Sequence, residues 1–189
     1  MPETRLVAAM TGHRPNKLYG YDLRAEKYMQ LRMLFTAALE KFGASELWTG
    51  MALGADQAAA LAVLDMKNRG LDIRLNAAVP FPGQESRWTE ESKQLYQAIL
   101  SKCDKKTIVT NGPYSPKAMQ DRNIYMVDRA DYIIAIYDGS SGGTGNCVSY
   151  AKSRGVPVLR IDPSLSTPPV WMDRPEGFRP GVREKRRHS

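Results

Sequence analysis

The sequence predicts an α/β protein: a Rossmann-like three-layer fold with a mostly parallel sheet of about six strands, plus an extended C-terminal tail. Two observations carry this. Short β-rich runs alternate with amphipathic helical stretches six times along the chain, the pattern of parallel strands joined by crossover helices. The loops leaving four of those strands are rich in glycine and polar residues, as loops at the ligand-binding edge of such a sheet are.

Taken in order, residues 5–10 read as a buried strand that runs into the loop Thr11-Gly-His-Arg-Pro15. Asp22 is suited to cap a first helix, along which Leu31, Leu34, Phe35, Ala38 and Phe42 recur at helical spacing up to Gly43. A second strand at 46–49 ends in Gly50-Met-Ala-Leu-Gly-Ala-Asp56. The alanine-rich helix that follows, to about Gly70, buries a stripe of Ala59, Ala62, Val63 and Met66. The third strand, 73–79, leads to Pro80-Phe-Pro-Gly-Gln84, then a helix at 89–103 and a fourth strand at 106–110.

Ser115-Pro116 marks the next helix start, because serine caps and proline fills the first helical position without needing its N–H. That helix carries Met119, Met126, Val127 and Ala130. Residues 132–137 (YIIAIY) form the clearest buried strand. Its loop, Asp138-Gly-Ser-Ser-Gly-Gly-Thr-Gly145, opens a helix ending near Gly155, and 156–161 is the last strand. The domain therefore spans 1–161. Residues 162–189, with Pro163, Pro168, Pro169, Pro175 and Pro180 and a basic end, read as an appendage.

The 189 residues are 42% hydrophobic and 25% charged, which excludes general disorder. The formal net charge is +7; residues 1–161 hold 21 Lys/Arg against 16 Asp/Glu, and residues 162–189 hold 6 against 4. Most of the excess thus lies in the domain, which suits a small phosphate-bearing ligand first and nucleic acid second. No apolar run approaches the ~18 residues of a membrane span, and the N-terminus has no signal-peptide pattern. Cys103 and Cys147 form no CxxC pair, so neither a disulfide framework nor a zinc ribbon is expected. A cytoplasmic protein with no metal and no required cofactor is the expectation.

The chemistry should sit where the strand-end loops converge. Gly142, Gly143, Thr144 and Gly145 allow close backbone approach before a helix N-terminus, a phosphate-binding arrangement that is neither a Walker A loop nor GxGxxG. Gly50, Gly54 and Asp56 form a second strand–loop–helix entry; Asp56 either holds its own loop or receives a ribose hydroxyl. On the first loop, Thr11 and Gly12 approach the site and Arg14 is placed to pair with phosphate, against the plainer reading of a surface arginine. Asp138, which leads the glycine loop, is a further candidate ligand-binding residue. His13 reads as loop packing, Arg122 and Asn123 as solvated helix residues by pattern alone, and Cys147 as a small buried residue. Gln84 and Trp88 have the chemistry to hydrogen-bond and stack on a base.

These residues resemble a known superfamily. Thr49-Gly-Met-Ala-Leu-Gly-Ala-Asp56 is similar to the SG-x-A-x-G-x-D loop of DprA/Smf proteins. Met119-Gln-Asp-Arg-Asn-Ile-Tyr-Met126 is similar to the M-x-x-R-K-x-x-M helix of LOG-type phosphoribohydrolases, and Gly142-Gly-Thr-Gly145 stands where those enzymes carry PGG-x-GT-x-x-E. With TGHRP at the start, residues 5–161 resemble the YpsA-like branch of the SLOG superfamily. The resemblance implies a Rossmann-like fold that binds a nucleotide or nucleotide-derived ligand (NAD or ADP-ribose-like), often as a homodimer. It places Arg122 at the arginine of the LOG helix. Ser149 and Asn146 occupy the positions of the LOG glutamate and of the threonine of GT, so LOG activity does not carry over. Binding in a sensing or regulatory role is the leading expectation. N-glycosidic hydrolysis of a nucleotide and DprA-like single-stranded DNA binding are the alternatives.

Overall fold

A computed structural model describes residues 5–173 and residue 178. The tail arginines Arg183, Arg186 and Arg187, like Pro175 and Pro180, lie outside the described residues. The order of elements is β1 (Leu6–Gly12), a 3-10 turn at Pro15–Lys17, α1 (Glu26–Lys41), β2 (Ala44–Thr49), α2 (Ala55–Asn68), β3 (Arg74–Val79), α3 (Glu90–Ser101), β4 (Lys105–Ile108), α4 (Pro116–Val127), β5 (Tyr132–Ile136), α5 (Gly143–Ser153), β6 (Val158–Ile161) and β7 (Val170–Trp171).

The sheet order is β4-β3-β2-β1-β5-β6-β7, parallel up to β6. Two separate apolar layers explain why β5 is apolar throughout. Tyr132, Ile134 and Ile136 pack beneath α1, α2 and α3, while Ile133 and Ala135 turn to α4 and α5 on the other face. The stripe of α2 lies in the first of these layers. Nine of its 14 residues are buried, including the whole first turn and a half, because alanine lets α1, the sheet and α3 approach it closely. Strand order reverses between β1 and β5, so the loops after these two strands diverge and leave a crevice.

Three local readings change. Asp22 does not cap α1, which begins at Glu26 after Ala25; its carboxylate instead accepts from the Arg24 N–H at 3.0 Å and closes a turn. The first strand runs on to Gly12. The segment read as an appendage returns to the sheet, where β7 pairs antiparallel with β6. Trp171 anchors it, stacking edge-on against Phe42 at 5.0 Å and Tyr132 at 5.9 Å. Ser115 caps α4 by accepting from the Ala118 N–H at 2.9 Å. Among the described residues, no helix is long and apolar enough to cross a membrane.

Tyr19 and Tyr28 join the loop before α1 to the rest. Tyr19 donates to the Pro163 carbonyl at 2.6 Å and Tyr28 to the Gly20 carbonyl at 2.7 Å. Burial pushes both phenols from the ordinary 10.0 up to about 12. A raised folded-state value means that this contribution is complete below the unfolded value and is lost as pH rises through the folded one. Stability should therefore fall between about pH 10 and about pH 12. Urea midpoints across that range, with phenolate absorbance followed in parallel, check it; a flat midpoint would contradict it.

Candidate functional site

The crevice at the β1–β5 switch is a cleft of about 570 Å³. Its lining brings together Thr11, Gly12, Arg14, Asp56, Arg122 and the run Gly142, Gly143, Thr144 and Gly145, with His13, Asn123 and Asn146 beside them. Gly50, Gly54 and Asp138 stand outside the lining and act through neighbours.

Each helix entry around the cleft is built differently. At α2, the Ala55 N–H donates to the His13 carbonyl at 3.4 Å, so the first loop plugs that helix. Gly54, just before it, holds φ +94, and a Cβ there would lie 2.9 Å from the same carbonyl. At α5, Gly142 has no side chain to cap the helix. The N–H groups of Gly143, Thr144 and Gly145 have no acceptor among the described residues, as the first turn of a helix leaves them. Thr144 is only 8% exposed, yet its hydroxyl has no hydrogen-bond partner among the described residues. Donors, helix dipole and hydroxyl together suit an anion.

Arg122 and Asn123 are buried, not solvated as the pattern of α4 suggests. Arg122 Nη1 donates to the Gly50 carbonyl at 3.0 Å and lies 3.7 Å from Asp56 Oδ2. Their side chains are 9% and 6% exposed. Asp56 Oδ2 also accepts from the Ala52 N–H at 3.2 Å. Burial pushes the Asp56 carboxyl up and pulls the Arg122 guanidinium down, and the opposite charge of each resists the shift of the other. Gly50 is needed because a Cβ there would meet Arg122 Nη1 at 1.7 Å. Asn123 accepts from Arg122 Nε at 3.1 Å and donates to the Gly143 carbonyl at 3.4 Å, tying the buried pair to the glycine turn.

Asp138 shapes the loop. Its Oδ1 lies 2.8 Å from His13 Nε2 and accepts from the Ser140 N–H at 2.8 Å. Hydrogen bonds from Ser140, then the contact with His13, hold its carboxyl well below the usual range. His13 is buried against this loop. Lys17 Nζ donates to Ser140 Oγ at 3.1 Å and so links the first and fifth loops. Arg14 is exposed and makes no hydrogen bond or ion pair among the described residues. Cys147 is buried, and burial pushes its thiol up to about 11, the opposite of a reactive thiolate. Among the described residues there is no cluster of three or more His, Cys, Asp or Glu able to hold a metal ion.

Residues 8–155 match the family model YpsA, described as the YspA SLOG family. The chain belongs to this SLOG family. Two Bacillus subtilis relatives of this SLOG chain illustrate the match. The SPbeta prophage-derived protein YoqJ is 37% identical over 131 residues, which is 62% of this chain and 77% of that protein. UPF0398 protein YpsA is 29% identical over 165 residues, 82% and 91% of the two chains. Among solved structures, the SLOG chain is similar to DNA processing protein A (DprA) from Helicobacter pylori, described for its single-stranded DNA binding mode. That match has TM-score 0.58 and 18% identity, covering 85% of this chain and 70% of that one. DprA from Streptococcus pneumoniae gives TM-score 0.57 at 14% identity and covers 82% of this chain, which spans 50% of that protein's length. At these identities the likeness is one of fold.

Proposed function

We propose that the cleft at the β1–β5 switch binds a small phosphate-bearing ligand derived from a nucleotide, of the NAD or ADP-ribose kind, in a sensing or regulatory role. The carrying observation is the open N-terminus of α5: unpaired N–H groups and the unpartnered Thr144 hydroxyl line a cleft that also holds the exposed Arg14. Asp56 is the one carboxylate of the lining, and it is occupied by Arg122 and the Ala52 N–H, so the cleft presents donors and positive charge to an anion. Ser149, at the position of the LOG glutamate, is exposed and outside the lining, which favours binding over hydrolysis.

Gly143→Ala tests this with little risk to the fold, because a Cβ at Gly143 meets no heavy atom within 4 Å. In thermal-shift titrations with NAD, ADP-ribose, AMP, inorganic pyrophosphate and a single-stranded oligonucleotide, phosphate ligands should stabilise the wild type. The variant should bind them about tenfold more weakly, because the added methyl group occupies the space through which the anion approaches the backbone. Equal shifts in both proteins, or none in either, would contradict the reading. Mass spectrometry of the same samples reads any cleavage of the N-glycosidic bond; product formation would replace binding with hydrolysis. A shift with the oligonucleotide alone, falling steeply with salt, would favour nucleic acid.

A further inference from the structure

A second cavity of about 560 Å³ adjoins the phosphate cleft and shares Arg14, Tyr114 and Met119 with it. Its chemistry is different. Phe81, Gln84, Arg87 and Trp88 also line it. Phe81 and Tyr114 meet edge to face at 5.9 Å, and Trp88 is held edge-on by Tyr96 at 5.4 Å. Tyr114 is 66% exposed, so most of its aromatic surface stays open beyond the contact with Phe81. Gln84 Nε2 donates to the Gly50 carbonyl at 3.2 Å and to the Tyr96 hydroxyl at 3.3 Å, which leaves Oε1 as an unused acceptor among the described residues. The same Gly50 carbonyl takes the Arg122 bond, so one backbone group ties the floors of both cavities together. Arg87, like Arg14, has no hydrogen bond or ion pair among the described residues.

Free phosphate has no use for aromatic walls, and a bare ring has no use for the α5 N-terminus. Aromatic faces beside unpaired guanidinium groups suit a flat heteroaromatic ring, and an unused carbonyl acceptor suits its amino group. We propose that the second cavity holds the base of the same ligand whose phosphate sits at α5, with Arg14 on the diphosphate between them. The protein then selects a base–diphosphate molecule over a mononucleotide or a free phosphate. This rests on the phosphate-binding reading of the first cleft.

Calorimetric titration of the full chain with ADP-ribose, AMP and inorganic pyrophosphate separates the two readings. ADP-ribose should bind the wild type at least about tenfold tighter than pyrophosphate, near the low end of what one stacked base contributes, and several-fold tighter than AMP, which carries the base but lacks the second phosphate for Arg14. Phe81→Ala and the exposed Arg87→Ala should each weaken ADP-ribose several-fold while changing pyrophosphate by less than about twofold. If Gly143→Ala weakens every probe but neither Phe81→Ala nor Arg87→Ala affects ADP-ribose, the second cavity does not hold the base and the phosphate cleft stands. If wild type binds neither pyrophosphate nor ADP-ribose, or Gly143→Ala affects neither, the phosphate reading fails and this proposal fails with it.

Discussion

Arg122→Ala is expected to cost about 3–5 kcal/mol of folding stability, the loss seen when one partner of a buried ion pair is removed. The cost arises at Asp56. Its carboxylate is buried, and with the guanidinium gone only backbone N–H donors, that of Ala52 at 3.2 Å and that of Gly50, remain to it. The Gly50 carbonyl keeps its bond from Gln84, so it adds little. Urea unfolding should show a lower midpoint with an unchanged slope. Burial already pushes the Asp56 carboxyl up, and without Arg122 it rises further. A raised value favours the folded state at low pH and penalises it as pH rises, so the deficit should shrink on acidification. The double variant Arg122→Met/Asp56→Asn, which removes both charges, should recover more than half of the loss. A single-variant cost below about 1 kcal/mol would mean that the pair is not buried as described.

Gly12→Ala is the second large effect, about 3 kcal/mol, at the upper end of ordinary overpacking. The reason lies in how closely α2 approaches β1. A Cβ on Gly12 would lie 2.4 Å from the Ala55 Cβ and 3.1 Å from the Ile136 Cβ. Both atoms are fixed to backbone, of α2 and β5, so relief requires the elements at the switch to move apart. Since Ala55 Cβ is the nearer obstacle, Ala55→Gly in the same chain should restore part of the stability. If Gly12→Ala unfolds at the wild-type midpoint, or Ala55→Gly brings no rescue, the close approach is not what requires glycine there.

The parallel core was legible because short β-rich runs alternate with helical stretches, and β5 is apolar enough to fill two layers. The seventh strand was not: two residues in a proline-rich stretch carry no periodicity, and the contact of Trp171 with Phe42 and Tyr132 exists only in three dimensions. Asp22 looked like a cap because its type suits one, but its carboxylate closes a turn with Arg24 instead.

The site divides in the same way. The glycine loop before α5 is readable because glycine, threonine and a helix start occur together in sequence. Arg122 and Asn123 are not, since the partners that allow an arginine to be buried, Asp56 and the Gly50 carbonyl, come from a distant loop. Gln84 and Trp88 were recognisable as base-contacting types. That they join Tyr114 beside the cleft at the β1–β5 switch depends on the loop after β3 meeting the loop before α4.

The most direct test is amide NMR of the full chain titrated with inorganic pyrophosphate. Binding at the α5 entry should move the Gly143, Thr144 and Gly145 N–H resonances downfield and furthest of all, because their protons gain an acceptor. It should leave the capped Ala118 N–H of α4 in place. Pyrophosphate that moves none of the three, or that moves other amides more, would contradict a phosphate site at this cleft.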